Sequence, residues 1–432
     1  MFERPRSSDR AVLVHVIFRH HADQAYLPEF SELALAANIV PVATVTTVRD
    51  KPDPKLYIGK GKCEELAQVI LAHKANLVIF NHELTPSQER NVQRLVNCRV
   101  LSRTGLILTI FAQRARTFEG KLQVELAQLE HMSTRLVRIW THLERQKGGI
   151  GLRGGPGETQ LEVDRRLIRE RMQTIEERLE KVKVQRQQSR HARVRQEVLT
   201  VALVGYTNAG KSTLFNALTG AHVWVANQLF ATLDPTLRSA DIPKLGKVVF
   251  ADTVGFIRQL PHSLVDAFRA TLEETTQATL LLHVVDAHDE HCDDHIDAVN
   301  QVLQEIGAQD VAQLLVFNKA DLLENSPYYP GYAERDKDGR ITKIWVSART
   351  GGGLDLLREA LQGRLSSGRV HGMIHLAPAH GQIRAQLYEL KAVQEETVND
   401  EGGWNIIITI TNYQWQKLCQ QHSELAQVFT AL

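Results

Sequence analysis

A glycine-rich loop reads Gly205-Tyr206-Thr207-Asn208-Ala209-Gly210-Lys211-Ser212 and decides the fold of the central part of the chain. It follows the apolar run 201–204 and precedes the helix-forming run 213–218, so strand, phosphate loop and helix stand in the required order. In such a loop, backbone N–H groups surround phosphate oxygens, a lysine such as Lys211 adds positive charge beside the outer phosphates, and a hydroxyl such as that of Ser212 faces magnesium. The sequence therefore predicts an α/β domain that binds a nucleotide.

The choice of base is indicated by a second loop, Asn318-Lys319-Ala320-Asp321, which follows the apolar run 314–317. A carboxylate at Asp321 can accept hydrogen bonds from the ring N–H and the exocyclic amine of guanine. Adenine would leave that carboxylate desolvated and unpaired, at a cost of about 1–3 kcal/mol or more. A third loop, Ser347-Ala348-Arg349, ends another apolar run, and we expect the backbone N–H groups of Ala348 and Arg349 near the guanine carbonyl oxygen. The sequence therefore predicts GTP and GDP as the bound nucleotides.

Two further loops are predicted to respond to the γ-phosphate. The first is Phe230-Ala231-Thr232-Leu233-Asp234, in which we expect Thr232 to close over the metal, with Thr236 as the alternative. The second is Asp252-Thr253-Val254-Gly255, in which we expect Asp252 to hold Mg2+ through water and Gly255 to donate its N–H to the γ-phosphate. The predicted metal set is Ser212, Thr232 and Asp252, and the predicted catalytic set is Lys211, Thr232, Gly255 and Asn208.

The residue after the second of these loops is Phe256, where the well-known switch GTPases have a glutamine that orients the attacking water. A phenyl ring neither donates nor accepts the needed hydrogen bonds, so we expect slow unaided hydrolysis and a trigger from elsewhere. One candidate is K+, coordinated by the Asn208 amide together with phosphate oxygens; the alternative is that Asn208 only hydrogen-bonds within its loop. Arg238 and Arg258 are near the two switch loops in sequence and are either internal arginine fingers or ordinary solvated side chains.

Length and composition indicate an ordinary globular protein. The chain has 432 residues, of which 43% are hydrophobic and 23% charged, with a formal net charge of +1, and this is enough for about two to four domains. The four cysteines, Cys63, Cys98, Cys292 and Cys419, have no paired spacing, which favours neither a zinc site nor disulfides. The apolar runs are too short for a membrane helix or a signal peptide. We therefore expect a cytoplasmic monomer without a membrane partner.

Apolar residues at spacings of three and four predict two long helices that face each other as an antiparallel hairpin. They are Leu122, Leu126, Leu129, Met132, Leu136, Ile139 and Leu143 in the first helix, and Ile168, Met172, Ile175, Leu179 and Val182 in the second. We expect Arg145, Lys147 and Arg153, in the glycine-rich tip between the helices, to contact RNA; alternatively, the hairpin only packs within the protein. Eleven lysines and arginines against four acidic residues, between Arg165 and Arg195, fit an RNA surface or the solvated face of a helix.

The remaining patterns predict the other domains. Strand-forming and helix-forming runs alternate through residues 1–112, which predicts a small α/β domain with a partly parallel sheet, and the hairpin occupies 113–197. The nucleotide-binding domain is predicted at 198–365 and a small α+β domain at 366–432. The loop Tyr57-Ile58-Gly59-Lys60-Gly61-Lys62 is either a structural turn or a contact for a second nucleotide or an RNA phosphate.

Five segments together resemble the HflX family of translational GTPases. They are Tyr57-Ile58-Gly59-Lys60-Gly61-Lys62, Arg103-Thr104-Gly105-Leu106-Ile107-Leu108, Gln123-Val124-Glu125-Leu126-Ala127, the tip 148–160 and the phosphate loop 205–212. The resemblance covers residues 11–365 and implies an α/β protein in which a P-loop GTPase domain is preceded by a small α/β domain and a long antiparallel helical hairpin and followed by a small α+β domain. It also implies a cytoplasmic GTPase that binds the large ribosomal subunit with its RNA and splits or rescues stalled ribosomes under stress. Ser102, where the family usually has an aspartate, and one extra glycine in the tip depart from the family pattern.

Two other functions stay open on the sequence alone. A protein-directed signalling GTPase would use the hairpin for self-association and would show no salt-sensitive affinity for RNA. A nucleic-acid-remodelling ATPase would use the first domain, and its ATP turnover would survive Lys211→Ala. The favoured hypothesis is a ribosome-triggered switch, in which GTP orders the loops around Thr232 and Gly255 and hydrolysis releases the protein.

Overall fold

The computed structural model describes most of the chain as two compact units. The described residues are 9–19, 27–139, 160–195, 199–221, 229–233, 235–243, 245–258, 272, 274–323, 327–337, 339–365, 369–390, 392–398, 402–422, 425 and 428–431. Within them, the first unit draws on Met1–Gln187, Ala226–Asp234 and Ile257–Thr271, and the second on Gln188–Val225, Pro235–Phe256 and Leu272–Leu432. The first switch loop (230–234) and the segment that follows the second switch loop (252–255) from residue 257 onward therefore belong to the first unit. The phosphate loop (205–212) belongs to the second unit.

The first unit begins with a parallel sheet of four strands in the order β2-β1-β3-β4. The strands are β1 (Arg10–Phe18), β2 (Val40–Arg49), β3 (Leu77–Phe80) and β4 (Arg99–Leu101). The helices are α1 (Leu27–Ala36), α2 (Lys60–His73), α3 (Pro86–Val96) and α4 (Arg103–Arg114). The central strands β1 and β3 are apolar along most of their length, as expected of parallel strands covered on both faces. The predicted small α/β domain is confirmed, and its described strand pairs are all parallel.

Side-chain caps fix where two of these helices begin. Thr85 and Gln88 form a reciprocal capping box at the start of α3. At the start of α4, the Ser102 hydroxyl accepts the N–H of Gly105 at 3.4 Å and a hydrogen bond from Arg135 Nη2 at 3.1 Å. Serine thus acts as the helix cap at the start of α4.

Two long helices follow, α5 (Phe118–Ile139) and α6 (Gln160–Arg195). A bidentate ion pair joins them, in which Arg171 Nε and Nη2 donate to the two oxygens of Glu125 at 2.7 and 3.0 Å. Both predicted helices are therefore present over the described residues, Leu143 of the first lies outside them, and the antiparallel hairpin stays a prediction. The tip residues predicted to contact RNA, Arg145, Lys147 and Arg153, lie outside the described residues.

The second unit contains a seven-stranded sheet in the order β10-β11-β9-β8-β5-β7-β6. The strands are β5 (Leu199–Gly205), β6 (Thr236–Ile242), β7 (Gly246–Asp252), β8 (Leu280–Asp286), β9 (Gln313–Asn318), β10 (Ala333–Arg335) and β11 (Ile341–Trp345). The helices are α7 (Lys211–Thr219), α8 (Cys292–Glu305) and α9 (Leu354–Leu365). The five inner strands run parallel, and the edge strands β6 and β10 are antiparallel to their neighbours. Because the carboxyl ends of parallel strands meet at one edge, the predicted nucleotide loops gather there.

A smaller antiparallel sheet completes the second unit, in the order β13-β14-β12-β15. Its strands are β12 (Arg369–Leu376), β13 (Val393–Val398), β14 (Trp404–Thr411) and β15 (Phe429–Ala431), and its helices are α10 (Gly381–Glu389) and α11 (Asn412–Gln421). This confirms the predicted α+β character of the C-terminal region, while the domain boundaries stay predictions. No helix among the described ranges is both long and apolar enough to cross a membrane.

Candidate nucleotide site

The phosphate loop connects β5 to α7 and has the backbone that its sequence requires. Asn208 and Gly210 adopt left-handed conformations, with φ of 62° and 88°. Asparagine tolerates this region better than most residues, and glycine enters it without strain. Gly210 has a second constraint, because a Cβ there would collide with the Asn318 side-chain nitrogen. The Asn208 side chain is exposed.

Lys211 is folded into the loop that precedes it. Its ammonium group donates to the carbonyl oxygens of Gly205 at 3.0 Å and Tyr206 at 2.7 Å, and the residue is 6% exposed. Burial lowers the pKa of Lys211 to about 8, and the nearby Asp252 carboxylate offsets part of that effect. The pKa stays above neutrality, so the ammonium group is charged at pH 7, and a nucleotide phosphate beside it would raise the pKa further.

Two of the three predicted metal ligands touch each other. The Ser212 hydroxyl donates to Asp252 Oδ2 at 2.7 Å, and Asp252 is fully buried at the end of β7. Thr253 holds the following turn in place by donating its hydroxyl to the Leu203 carbonyl at 2.6 Å. A hydroxyl beside a buried carboxylate is an oxygen donor set of the kind that Mg2+ prefers, so these residues fit the predicted metal.

The second switch loop lies tightly against the phosphate loop. A Cβ at Gly255 would lie 2.7 Å from Thr207 Cγ2 and 3.1 Å from Lys211 Nζ, so only glycine fits without a shift. The next residue, Phe256, pairs its backbone with the same loop: its N–H donates to the Gly205 carbonyl at 3.1 Å, and its carbonyl accepts the Thr207 N–H at 2.8 Å. The Phe256 side chain is 2% exposed, so its ring is part of the core rather than of a water-binding surface.

Asn318 ties the phosphate loop to the predicted guanine loop. Its amide nitrogen donates to the Ala209 carbonyl, and its amide oxygen accepts the Ala348 N–H, both at 3.0 Å. The Ala348 N–H that was expected to face guanine is therefore engaged by Asn318. Asn318 is 2% exposed, so both bonds are shielded from water.

The other residues of the guanine loops are placed by local contacts. Lys319 donates to Asp286 Oδ2 at 2.7 Å, while Ala320 and Asp321 lie in a short 3-10 helix, Ala320–Leu322. Ser347 is buried, and its hydroxyl accepts the N–H of Thr350, whereas Arg349 is exposed. The half-buried Asp321 is thus carried on a short turn that directly follows the anchored residues Asn318 and Lys319.

The first switch loop is described at 229–233 and belongs to the first unit. Leu229, Phe230 and Leu233 are buried, and the half-buried Thr232 lies between them in sequence. Asp234 lies outside the described residues. The alternative threonine, Thr236, begins β6 and is paired directly with Asp252 across the antiparallel β6–β7 ladder.

Sequence reasoning missed one partner of the phosphate loop. The Tyr206 ring stacks on His295 of α8, with ring centroids 3.8 Å apart and planes 13° from parallel. His295 Nδ1 lies 3.0 Å from Asp289 Oδ2, which orients the imidazole. No local sequence signal identifies this pair, because the two rings are almost ninety positions apart in the chain.

The loops after β5, β7, β9 and β11 all stand at the carboxyl edge of one sheet, and their order is that of a P-loop GTPase. Three family models match the chain: "GTP-binding GTPase N-terminal" over 24–112, "GTP-binding GTPase Middle Region" over 114–193 and "50S ribosome-binding GTPase" over 200–319. The chain is 52% identical to the GTPase HflX of Escherichia coli over 425 residues, which cover 98% of this chain and 99% of that protein. It therefore belongs to the HflX family of GTPases.

A second curated relative agrees with this assignment. The GTPase HflX of Magnetococcus marinus is 47% identical over 398 residues, 91% of each chain. Among solved structures, a GTP-binding protein from Sulfolobus solfataricus in complex with GDP has a TM-score of 0.44 and 22% identity, covering 83% of this chain and 99% of that one. Membership of the family, together with the P-loop domain, makes the protein a guanine-nucleotide-binding enzyme that hydrolyses GTP.

Proposed function

We propose that the protein is a cytoplasmic, ribosome-triggered GTPase, which binds the large ribosomal subunit and uses GTP to split or rescue stalled ribosomes under stress. The observation that carries this proposal is the burial of Phe256, at the position where other switch GTPases place a water-orienting glutamine. A GTPase without that glutamine holds GTP until a partner completes the site. The family model described as a 50S ribosome-binding GTPase, which matches residues 200–319, supports the large subunit as that partner.

The nucleotide roles follow from the geometry of the four loops. Gly205 to Ser212 surround the phosphates, with Lys211 released from its carbonyl partners to the outer phosphates. Gly255 donates its backbone N–H to the γ-phosphate, from a position where an added Cβ would lie 3.1 Å from Lys211 Nζ. Asp321 accepts the guanine edge, and Ser347 to Arg349 close the base pocket behind it.

The metal roles are assigned to oxygen donors. Ser212 is proposed as a direct ligand of Mg2+, Asp252 as a ligand through water, and Thr232 as the ligand that closes from the first switch loop. Bound there, Mg2+ would neutralise charge that develops between the β- and γ-phosphates. The 2.7 Å contact between Ser212 and Asp252 supports the first two assignments.

The RNA contact is assigned to the glycine-rich tip between α5 and α6. Arg145, Lys147 and Arg153 supply charge for phosphates, and the glycines permit close approach of the backbone. The Arg171–Glu125 ion pair supports a contact between the two helices that carry the tip.

The proposal is tested by GTP hydrolysis in potassium buffer, with and without purified large ribosomal subunits. Strong stimulation is expected, because the ribosome would supply what the buried Phe256 ring cannot. Unchanged hydrolysis would contradict the proposal and favour a protein-directed signalling GTPase. Repeating the assay in sodium buffer tests Asn208: equal rates in the two salts would exclude K+ as a participant.

Variants of the tip separate ribosome triggering from nucleotide binding. Replacing Arg145, Lys147 and Arg153 together with alanine should abolish the stimulation and leave GTP affinity intact. A matched control replaces three arginines of α6, Arg166, Arg169 and Arg178, which removes the same charge outside the tip. Equal loss of stimulation in both variants would show general electrostatic attraction rather than a contact of the tip.

A further inference from the structure

Helix α4 of the first unit contacts the first switch loop and the segment that follows the second switch loop. Arg103, in the first turn of α4, reaches the backbone of Arg258, which lies three positions beyond Gly255 in sequence. Phe111, two turns later in the same helix, packs on Phe230, which lies two positions before Thr232. All four residues belong to the first unit. The contacts on α4 therefore fix both segments relative to a single rigid element.

The contact with Arg258 is part of a buried network. The Arg103 residue is 6% exposed, and its Nη1 donates to Asn81 Oδ1 at 2.6 Å. Its Nη2 donates to Glu29 Oε1 at 2.5 Å and to the Arg258 carbonyl at 3.1 Å. The carboxylate of Glu29 compensates the buried charge, and the planar fork holds three acceptors at once. A lysine has the charge but not the fork, so it cannot hold the same three partners in the same plane.

The contact with the first switch loop is aromatic. The rings of Phe111 and Phe230 meet edge to face, with centroids 4.7 Å apart and planes at 82°. Phe230 has a φ of 55°, a conformation that costs free energy in a residue other than glycine and persists only where surrounding contacts impose it. Leu229 and Leu233 are 3% and 2% exposed, so Thr232 has a buried anchor on either side in the chain.

We infer that α4 is a positioning element for GTP hydrolysis, in which Arg103 fixes the segment after Gly255 and Phe111 fixes the loop that carries Thr232. The inference rests on the roles proposed above for Thr232 and Gly255. Both roles concern the γ-phosphate, which GDP lacks. Because α4 restricts the two segments before GTP binds, less conformational entropy is lost when they order around GTP. GDP binding does not require that order and is independent of α4.

The test compares Arg103→Lys and Phe111→Leu with the wild-type full-length protein, in the absence of ribosomes. Fluorescent GDP and the non-hydrolysable analogue guanosine 5′-(β,γ-imido)triphosphate are the probes, and intrinsic hydrolysis gives kcat and KM. Each variant should bind the triphosphate analogue about tenfold more weakly than the wild type. This is about the cost in conformational entropy of ordering the backbone of one more residue when the analogue binds. GDP affinity should stay within about twofold, and kcat should fall. Equal weakening of both nucleotides, or an unchanged or increased kcat, would overturn the inference.

Two controls separate positioning from general damage. Val92→Ala removes core volume from α3 in the same unit, at a fully buried residue outside α4, and should leave the ratio of triphosphate to GDP affinity unchanged. The second control compares Phe230→Leu, Phe111→Leu and the double variant. If Phe111 acts through Phe230, the double variant binds the triphosphate analogue no more weakly than the weaker-binding single variant. Additive losses of affinity would contradict a role of the Phe111–Phe230 contact. The test is also independent of ribosome stimulation. If wild-type hydrolysis does not respond to large subunits, the proposed function fails, while the α4 inference is still decided by the affinity ratio.

Discussion

Replacing Asn318 with alanine should weaken GDP binding although it leaves the phosphate loop sequence intact. The substitution removes two hydrogen bonds of 3.0 Å, one to the Ala209 carbonyl and one from the Ala348 N–H. Ala209 is 1% and Ala348 9% exposed, so both backbone groups lose a partner where water is scarce. A buried polar group without a partner costs about 1–3 kcal/mol, and the lower value for both groups gives about 2 kcal/mol. Since one nucleotide must contact the phosphate loop and the base loop together, we expect about a 30-fold rise in the Kd for GDP.

The assay is isothermal titration with GDP and Mg2+, at a temperature where circular dichroism shows the variant to be folded. Asn405→Ala is the matched control, because Asn405 pairs with His375 at 2.7 Å in the C-terminal sheet, away from the nucleotide loops. A rise in Kd of less than about threefold for Asn318→Ala, below 1 kcal/mol, would refute the conclusion that this side chain joins the two loops.

Three other perturbations test the same site. The affinity for GDP should be flat up to pH 8 and then fall by up to about tenfold per pH unit in fluorescence titrations, because the Lys211 pKa of about 8 must rise for the bound phosphates to be paired with an ammonium group. The pKa of Lys211 is lower in the folded protein than in the unfolded chain. Its contribution to the free energy of unfolding therefore rises as the pH rises above 8, so titration of Lys211 does not unfold the protein there and cannot in that way cause the fall in affinity. Phe256→Gln should leave intrinsic GTP turnover no faster and should lower stability by about 3 kcal/mol in thermal unfolding, because an amide replaces a ring that is buried in the core; faster turnover would show that glutamine can reach the attacking water from this position. Gly255→Ala should weaken a non-hydrolysable GTP analogue about tenfold relative to GDP, because its methyl group would lie 2.7 Å from Thr207 Cγ2; an unchanged ratio of the two affinities would contradict the tight fit.

The nucleotide loops could be located from sequence because each is a short pattern that directly follows an apolar strand. Gly205 to Ser212, Asp252 to Gly255 and Asn318 to Asp321 all stand where the pattern places them, at strand ends on one edge of the sheet. The class of protein and the α/β fold were therefore predictable, whereas the expected lack of a water-orienting group at Phe256 stays a prediction. A local pattern does not show what a loop touches, and for this reason the Asn318 bridge and the Tyr206–His295 stack were not predicted.

The role of α4 escaped prediction for a different physical reason. Its sequence, from Arg103 to Phe111, is buried at every position, so there is no exposed face and no amphipathic period to interpret. A helix without a polar face is predicted to be buried, but its sequence does not indicate which elements it packs against. The one cue was Arg103 itself: an arginine at the start of such a helix must find acceptors if it is buried, and it finds them in Glu29, Asn81 and the Arg258 carbonyl.

The residues assigned to the phosphates and the base belong to the second unit of this chain, whereas Thr232, assigned to the metal and to hydrolysis, belongs to the first. Inside the second unit, buried or partly buried hydrogen bonds hold Lys211, Ser212 and Asn318, which are assigned to the phosphates, the metal and the base loop. The loop that carries Thr232 is anchored in the first unit, through contacts that include α4. On the inference drawn for α4, a partner that displaces this helix changes the hydrolysis rate and weakens GTP binding, while the contacts inside the second unit still hold the nucleotide. This separation is what a triggered GTPase requires, because the trigger must act while GTP is still bound.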